Sequence, residues 1–170
     1  MDYGGINKEP VSDVVIRFQD CDPFGHLNNA RYIDYFINAR EEHLAEYYDL
    51  DIYERQKQSN TNWVVAKTKI AYMAPVLFRE KVSVKTSLIH YTDTSLLMEG
   101  VMLDKTRNYL KSVIWIQFRH FDLPSGKLIK HSDELMKLFD KISIRGINID
   151  SFDGRVKEII SFQKRNIAIA

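Results

Sequence analysis

One long helical pattern, followed by four segments whose apolar residues alternate with polar ones, constrains the architecture that this chain can adopt. The helix is predicted over roughly 29–48, with Asn28 as its N-cap. Its apolar residues recur at helical spacing, and they are Ala30, Ile33, Phe36, Ile37, Leu44 and Tyr48. A β-rich stretch over 11–18 precedes the helix and predicts a first strand.

The alternating segments indicate strands with one buried face. They cover roughly 64–72, 82–88, 95–103 and 109–121, and the short polar turns between them indicate an antiparallel meander. A sheet of about five strands must cover its apolar face, and the long helix is the element available to do so. The predicted fold class is therefore α+β, with an antiparallel sheet of about five strands wrapped around one long helix.

Two shorter helical patterns follow this core. Ser132 is predicted to cap a helix that runs to about Phe139, and a further helix is predicted over 154–162. The segment 49–62 is polar and irregular, with a short helical turn as an alternative within it. No repeat or linker divides the sequence, so we expect one domain over 1–140, with residues 141–170 as a C-terminal extension of the same domain.

The composition argues against several classes of function. The 170 residues are 45% hydrophobic and 28% charged, and a formal net charge of +1 gives no overall electrostatic basis for nucleic-acid binding. No apolar run approaches the length of a membrane span, and the first ten residues lack the apolar core of a signal peptide. The single cysteine, Cys21, is expected to be a small buried residue between two acids rather than a nucleophile. We therefore expect a cytoplasmic protein with no membrane or nucleic-acid partner.

The loop that leads into the helix concentrates the reactive side chains. Two carboxylates, one imidazole and two amides lie just before the helix N-terminus, in the run Asp20-Cys21-Asp22-Pro23-Phe24-Gly25-His26-Leu27-Asn28-Asn29. The first turn of a helix has unpaired N–H groups and the positive end of the helix dipole, which stabilise developing negative charge. A carboxylate beside it is suited to act as a general base or a nucleophile on an electrophilic carbonyl.

Extended to Tyr32, this loop resembles the motif of the hotdog-fold thioesterases, above all the branch named for 4-hydroxybenzoyl-CoA thioesterase. The shared pattern is Asp-x-Asp-Pro-x-Gly-His-x-Asn-Asn-x-x-Tyr, and the resemblance covers roughly 11–139. It continues in the helix, in the strand that ends at Tyr72-Met73-Ala74-Pro75 and in the strand start at Thr94-Ser95. The resemblance implies a hotdog fold, in which the sheet wraps the helix, and hydrolysis of an acyl-CoA thioester without a cofactor or a metal ion.

The resemblance also implies roles for individual residues. Asp22 is the catalytic carboxylate, which attacks the thioester carbonyl or activates a water, and the backbone N–H of Asn29 polarises the carbonyl oxygen. His26 is a candidate second catalytic group, because this part of the motif also resembles acyl-carrier-protein thioesterases, which carry an Asn where this chain has Phe24. Family members are homodimers or homotetramers with the site at the subunit interface. The expected substrate-binding residues are Phe24, Gly25, Trp63, Thr94 and Ser95, and the candidates for the phosphates of CoA are Lys67, Arg119 and His120.

The sequence leaves other functions open. The chain could hydrolyse the thioester of an acyl carrier protein, or it could bind acyl-CoA without turnover as a sensor or scaffold. Asp22 could serve only to cap a turn, as Asp before Pro often does, and Asp20 is expected to hydrogen-bond the loop backbone. Asn28 is expected to cap the helix through its side chain. Tyr35 and Phe36 are expected to pack on the helix, with contact to an acyl chain as the alternative.

Overall fold

The computed structural model describes residues 5–169 of the chain, with side chains as far as Arg165. The elements are β1 (Val11–Val15), two 3-10 turns (Phe18–Asp20 and Asn29–Arg31), α1 (Tyr32–Tyr48), α2 (Ile52–Ser59), β2 (Thr61–Tyr72), β3 (Lys81–Tyr91), β4 (Ser95–Asp104), β5 (Leu110–Asp122), β6 (Lys127–Leu128), α3 (Asp133–Ile142) and α4 (Phe152–Ile169). Residues 1–4, which belong to the predicted domain 1–140 and to the N-terminal segment without a signal-peptide core, lie outside the described residues, as does Ala170 of the predicted extension. Within residues 5–169, no helix combines the length and the apolar character that crossing a membrane requires.

The strands form one antiparallel sheet in the order β1-β3-β4-β5-β2, and the short β6 pairs with β5. The strands β3, β4 and β5 follow one another as the predicted meander. The meander is wrong for β2, which pairs with β5 rather than with β3. The reason is the connection over residues 73–80, which contains Pro75 and is long enough to carry the chain from one edge of the sheet towards the other.

Because this sheet covers one long helix, the predicted α+β fold class is confirmed. The residues of α1 that face the sheet recur three and four positions apart, and they are Tyr32, Tyr35, Phe36, Ala39, Arg40 and His43. The apolar stripe predicted for this helix is therefore wrong in part. Phe36 is buried, and Ile33, Ile37 and Tyr48 pack against the core as partly buried residues. In contrast, Ala30 is exposed, and the polar residues Arg40 and His43 are buried. Tyr35 and Phe36 both pack in the core, as expected.

The helix α1 approaches the sheet closely at Gly100 of β4. A Cβ atom on Gly100 would lie 2.5 Å from Cδ1 of Phe36 and 2.7 Å from Cγ2 of Ile114, which is closer than real Cβ contacts. Phe36 is fully buried at this point. The missing side chain of Gly100 therefore makes the room that the Phe36 ring fills, and this contact sets the distance between the helix and the sheet.

The helix α4 covers the outer face of the sheet, so that both faces of its central strands are buried. Phe152, Val156 and Ile159 of α4 pack in a cluster with residues of β4 and β5 that include Val101, Val113 and Trp115. Nearly all residues along β4 and β5 are therefore buried, instead of buried residues alternating with exposed ones. The helix is longer than the predicted segment 154–162.

An ion pair between the half-buried Arg155 and the buried Glu99 joins α4 to the sheet. Glu99 is 2% exposed, and its two carboxylate oxygens accept hydrogen bonds from Nη2 and Nε of Arg155, both at 2.9 Å. Trp115 Nε1 donates to the same carboxylate at 3.0 Å. The hydrogen bonds with Glu99 raise the pKa of Arg155. Because this pair completes the packing of the sheet, we propose that residues 141–170 are an extension of the same domain.

Several predicted boundaries differ in detail. The first strand ends at Val15, because residues 18–20 form a 3-10 turn. The polar segment 49–62 contains the short helix α2, in agreement with the helical turn considered there, and its N-cap Asp51 accepts backbone hydrogen bonds from Tyr53 and Glu54. Ser132 caps α3 as predicted, with Oγ accepting the N–H of Leu135 at 3.3 Å, and α3 continues to Ile142.

We predict that Gly100→Ala destabilises the protein by about 1–3 kcal/mol, because the added methyl group must displace the Phe36 ring or the Ile114 side chain. Urea unfolding measures this difference in the free energy of unfolding. Gly5→Ala is the matched control, since a Cβ there would meet nothing within 4 Å. Equal stability of the two variants would show that the Phe36 contact does not fix the position of α1.

Candidate active site

Asp22 lies in a tight turn that its own carboxylate stabilises. Oδ1 of Asp22 accepts the backbone N–H groups of Phe24 at 2.9 Å and His26 at 3.1 Å. The backbone N–H of Asp22 donates to the carbonyl of His26 at 2.8 Å, and its carbonyl accepts the N–H of Gly25 at 3.0 Å. Oδ2 accepts no hydrogen bond from residues 5–169. One carboxylate oxygen therefore holds the turn in shape while the other has no protein partner in the described chain.

Gly25 reverses the loop, and the segment before β3 anchors it. The φ angle of Gly25 is 76°, in the left-handed region that favours glycine. Its carbonyl accepts the N–H of Phe78 at 3.0 Å, and the N–H of Leu27 donates to the carbonyl of Val76 at 2.8 Å. Leu27 is buried, whereas Phe24 is 83% exposed. The loop is thus fixed on its inner side and presents Phe24 to the surroundings.

The helix N-terminus follows this loop directly. Asn28 Oδ1 accepts the N–H of Ala30 at 3.0 Å, so Asn28 is a cap as predicted, but it caps the 3-10 turn that leads into α1. The helix predicted from residue 29 begins with a 3-10 turn before α1. The side chain of Asn28 binds the N–H of Ala30 but not the N–H of Asn29. The Tyr72 hydroxyl at the end of β2 donates to the carbonyl of Asn29 at 2.9 Å, which ties the helix start to the sheet.

Asp20 connects the loop to α1. Its carboxylate accepts the hydroxyl of Tyr35 at 2.7 Å and lies 3.9 Å from Nε of Arg31. Its carbonyl accepts the N–H of Asn28 at 2.9 Å. The expectation that Asp20 binds the loop backbone therefore holds for its carbonyl oxygen, whereas its carboxylate binds side chains of the helix. Burial raises the pKa of Tyr35, so its hydroxyl stays a hydrogen-bond donor.

His26 and Cys21 lie on either side of Asp22 in the loop. The imidazole of His26 makes no side-chain hydrogen bond within residues 5–169. Cys21 is half-buried, with Sγ 3.4 Å from the carbonyl of Arg17. Burial, together with the carboxylates on both sides, raises the pKa of the Cys21 thiol, which argues against a nucleophilic thiolate. Within the described residues, no three side chains of His, Cys, Asp or Glu are grouped to hold a metal ion.

The predicted substrate-binding residues of strands β2 and β4 lie at the opposite end of the sheet. Trp63 near the start of β2 and Thr94-Ser95 at the start of β4 flank the same end of β5. Tyr72, which contacts Asn29, lies nine positions further along β2, a separation of about 30 Å in an extended strand. Within one chain, the structure brings together Asp22, Phe24, Gly25, His26 and Asn29, and it separates them from Trp63, Thr94 and Ser95.

Trp63 belongs to a buried aromatic cluster. Its ring stacks on His120 with centroids 4.9 Å apart, and its Nε1 donates to Nε2 of His131 at 2.9 Å. His131 Nδ1 lies 3.1 Å from the carbonyl of Thr92, which fits a neutral ring with its hydrogen on Nδ1. Burial lowers the pKa of His131 to about 4 and also lowers the pKa of His120. A neutral, buried His120 is poorly suited to bind the phosphates of CoA, which argues against that candidate role.

Two features of this region could not be predicted from the sequence patterns. The first is the segment 76–78 that anchors the loop, which contains no motif and is preceded only by Pro75 as a local signal that the strand has ended. Arg40 and His43 are buried against the sheet, although they are polar. The signal that would have found them is their position, because they continue the spacing of Tyr32, Phe36 and Ala39 along one helix face.

Comparison with known proteins places this architecture in a family. The profile of the thioesterase-like superfamily matches residues 16–139, so the chain belongs to this superfamily. It is similar to the protein YsmA of Bacillus subtilis (strain 168), with 29% identity over 123 residues that cover 71% of this chain and 78% of YsmA.

Two solved structures share the fold. The DHNA-CoA thioesterase of Staphylococcus aureus superposes with a TM-score of 0.73 at 16% identity, over 79% of this chain and 90% of that chain. The 12:0-ACP thioesterase of Umbellularia californica superposes with a TM-score of 0.76 at 14% identity, over 88% of this chain and 56% of that chain. The hotdog fold implied by the sequence motif is thereby confirmed.

We predict that Gly25→Ala lowers stability by about 1–2 kcal/mol, because an L side chain is strained in the left-handed region. It should also lower thioester hydrolysis by about tenfold or more, since even small misplacement of a reacting group is costly. Gly146→Ala is the matched control: Gly146 has a φ of 84° between α3 and α4, and a Cβ at either glycine meets nothing within 4 Å. Urea unfolding and initial rates of thiol release measure both effects. Full hydrolysis by a destabilised Gly25→Ala protein would show that the shape of this turn does not matter for the reaction.

Proposed function

We propose that this protein is an acyl-CoA thioesterase, which hydrolyses an acyl-coenzyme A to the free acid and CoA. The observation that carries the proposal is the arrangement of Asp22, whose Oδ1 is held by two backbone N–H groups while Oδ2 has no partner in the described chain. Membership of the thioesterase-like superfamily supports the reaction class. The name of the DHNA-CoA thioesterase, which shares this fold, supports a CoA thioester as the substrate.

In the proposed reaction, the N–H of Asn29 donates to the thioester oxygen, where negative charge develops. Asp22 acts by one of two routes. As a general base it takes a proton from a water whose oxygen bonds to the carbonyl carbon, and as a nucleophile it forms an acyl anhydride that water then hydrolyses. Both routes break the C–S bond, and CoA leaves as the thiol after gaining a proton. We assign His26, which shares the turn with Asp22, an assisting role in proton transfer.

We infer that the active protein is at least a homodimer, because the substrate-binding residues of one chain lie at two ends of its sheet. The strand β2 is an edge strand, and its outer side faces no other strand of residues 5–169. Val64 and Val65 on this strand are 48% and 44% exposed. Two copies of β2 paired antiparallel about a two-fold axis would bring Trp63 and Thr94-Ser95 of one chain to the Asp22 loop of the partner subunit.

We assign the phosphates of CoA to an open groove on the outer face of the sheet. The groove has a volume of about 300 Å³ and is lined by Lys67, Lys69, His90 and Ser95 among others. Both lysines are exposed, and ammonium groups bind phosphate as point charges. The groove includes Ser95 and therefore adjoins the end of the sheet that the homodimer would bring to the partner's Asp22 loop.

We predict that Asp22→Asn lowers kcat/KM for acyl-CoA hydrolysis by about 100-fold or more, because a positioned base contributes an effect of that size. The carbonyl oxygen of Asn can still accept the N–H groups of Phe24 and His26, so the loop keeps its shape. Thiol release from a panel of acyl-CoAs, short to long and aliphatic to aromatic, measures the rate and identifies the acyl class.

Asp20→Asn is the matched control, since it removes a carboxylate two positions away and still accepts the Tyr35 hydroxyl. It should retain turnover. Unchanged turnover in folded Asp22→Asn contradicts the role of Asp22. Hydrolysis of acyl-carrier-protein thioesters alone would favour the carrier-protein enzyme, an alternative that the name of the 12:0-ACP thioesterase supports. Saturable acyl-CoA binding without turnover would favour the sensor or scaffold.

We predict that Val65→Glu dissociates the homodimer and abolishes turnover, because a charge on the edge opposes strand pairing. Val15→Glu is the matched control on β1 at the other edge of the sheet, where Val15 is 49% exposed. That variant should remain dimeric and active. Size-exclusion chromatography with light scattering gives the mass, and thiol release gives the activity. A monomeric Val65→Glu protein with full turnover would contradict a site shared between two chains.

A further inference from the structure

A narrow cavity lies between α1, α3 and the inner face of the sheet. The space open to the centre of a water-sized molecule is about 40 Å³, several times what one buried water requires, and the cavity is partly open to solvent. Most of its walls are apolar, and they include Leu44, Leu88, Leu96, Met98, Phe118 and Phe139. Two polar side chains of α1, Arg40 and His43, also line it. None of the Asp22 loop residues does, so the cavity is separate from the loop within one chain.

Arg40 lines this cavity without a counter-ion. The side chain is 7% exposed, and its charge lies 4.1 Å from the ring centroid of Phe118. No hydrogen bond or ion pair joins its guanidinium to another side chain of the described residues, whose ion pairs all involve other cations. Burial lowers the pKa of Arg40 to about 10, so the guanidinium stays charged at neutral pH.

An unpaired charge in this position is costly to the fold. A buried ion loses its hydration, and in folded proteins an opposite charge or several hydrogen bonds replace it. The cation–π contact with Phe118 replaces only a small part of that hydration. An apolar side chain at this position of α1 would pack in the same cavity without the penalty. The guanidinium donors therefore remain available for an anion that enters the cavity.

His43 adds a second unsatisfied group on the same side of α1. Its Nδ1 lies 2.7 Å from Oγ1 of Thr86, and its Nε2 is buried without a hydrogen-bond partner in the described chain. Burial lowers the pKa of His43 to about 4, so the ring is neutral. When the Thr86 hydroxyl donates to Nδ1, Nε2 carries the hydrogen and is a donor. In that tautomer, two donors three positions apart on one helix face line one cavity.

We propose that this cavity binds an apolar molecule that carries a carboxylate, with the carboxylate on Arg40 and the hydrocarbon part against Leu96, Met98 and Phe118. A carboxylate matches the planar guanidinium in both charge and shape. The apolar walls favour a hydrocarbon chain over a small hydrated anion. The ligand is a free carboxylic acid or the distal carboxylate of an acyl group, and in the second case the inference rests on the proposed function.

Calorimetric titration with hexanoate, and with 1-hexanol as its uncharged match, tests this proposal on the full chain. The wild-type protein is expected to bind hexanoate about tenfold or more tightly than hexanol. Arg40→Met should remove that difference, whereas Arg107→Met, at an exposed arginine in the β4–β5 turn, should retain it. Hexanol bound as tightly as hexanoate, or hexanoate bound equally well by Arg40→Met, overturns the proposal.

The folding and the location of binding are checked separately. Arg40→Met should have an unchanged or higher Tm, because it replaces an unpaired buried charge with an apolar side chain. If that variant fails to fold, Arg40→Lys takes its place and should weaken the binding of hexanoate but not the binding of hexanol.

The location of binding is tested by tryptophan fluorescence. Trp115→Phe leaves Trp63, which lines the cavity, as the single tryptophan. Its emission should change on titration with hexanoate, and an unchanged emission would assign the binding elsewhere and overturn the proposal.

The source of the carboxylate is decided by hydrolysis rates. A series of dicarboxylic acyl-CoAs, short to long, is compared with the monocarboxylic acyl-CoAs of equal length. A preference for the dicarboxylic series that Arg40→Met abolishes identifies the distal carboxylate of the substrate, whereas hexanoate binding without such a preference identifies a free acid. Binding is measured without turnover, so hexanoate bound through Arg40 by a protein that hydrolyses no thioester supports this site and contradicts the proposed activity.

Discussion

The contact between Phe36 and Gly100 fixes how closely α1 approaches the sheet, and the candidate active site depends on that distance. Tyr35, next to Phe36, holds the carboxylate of Asp20, and Tyr32, one turn earlier, packs edge-on against Tyr72 with ring centroids 5.0 Å apart. These two tyrosines join the loop and the sheet to the first turns of α1. A helix held further from the sheet would carry the Asp22 turn away from the segment before β3 that anchors it. The packing of one aromatic ring against a glycine thus affects the position of the candidate catalytic carboxylate of Asp22.

The parts of the fold that local patterns determine could be predicted from the sequence. The strand that begins at Ser95 was found within a residue of both its observed ends, and the end of α1 at Tyr48 was also found, because hydrophobic periodicity and capping act over a few neighbouring positions. The start of α1 was predicted three residues too early. The pairing of β2 with β5 was missed, because it joins residues as distant in sequence as Thr61 and Asp122 and leaves no local signal. The burial of Arg40 was missed for a different reason, since a polar residue on the inner face of a helix contradicts the pattern used to find that face.

The candidate site shows the same division between local and non-local information. The motif contains Asp22, Gly25, His26 and Asn29 within one loop. The structure keeps them close together because hydrogen bonds between near neighbours shape the turn. Trp63 and Ser95 come from other strands, and no property of the sequence states at which end of the sheet they lie. In one chain they lie far from Asp22, and the proposed homodimer would bring the two groups of residues together.

Two arginines in this protein, the half-buried Arg155 and the buried Arg40, show how a paired charge differs from an unpaired one. Arg155 makes two hydrogen bonds with the carboxylate of Glu99, and Trp115 supplies a third donor to the same group. The lone pairs of the acid and the charge of the base are satisfied together, as a buried ion pair requires. Arg40 is buried to a similar degree as many core residues, yet it faces a ring and a cavity rather than a carboxylate. The fold provides Arg155 with a carboxylate and provides none to Arg40. A ligand that carries a carboxylate would give Arg40 the counter-ion that Arg155 already has.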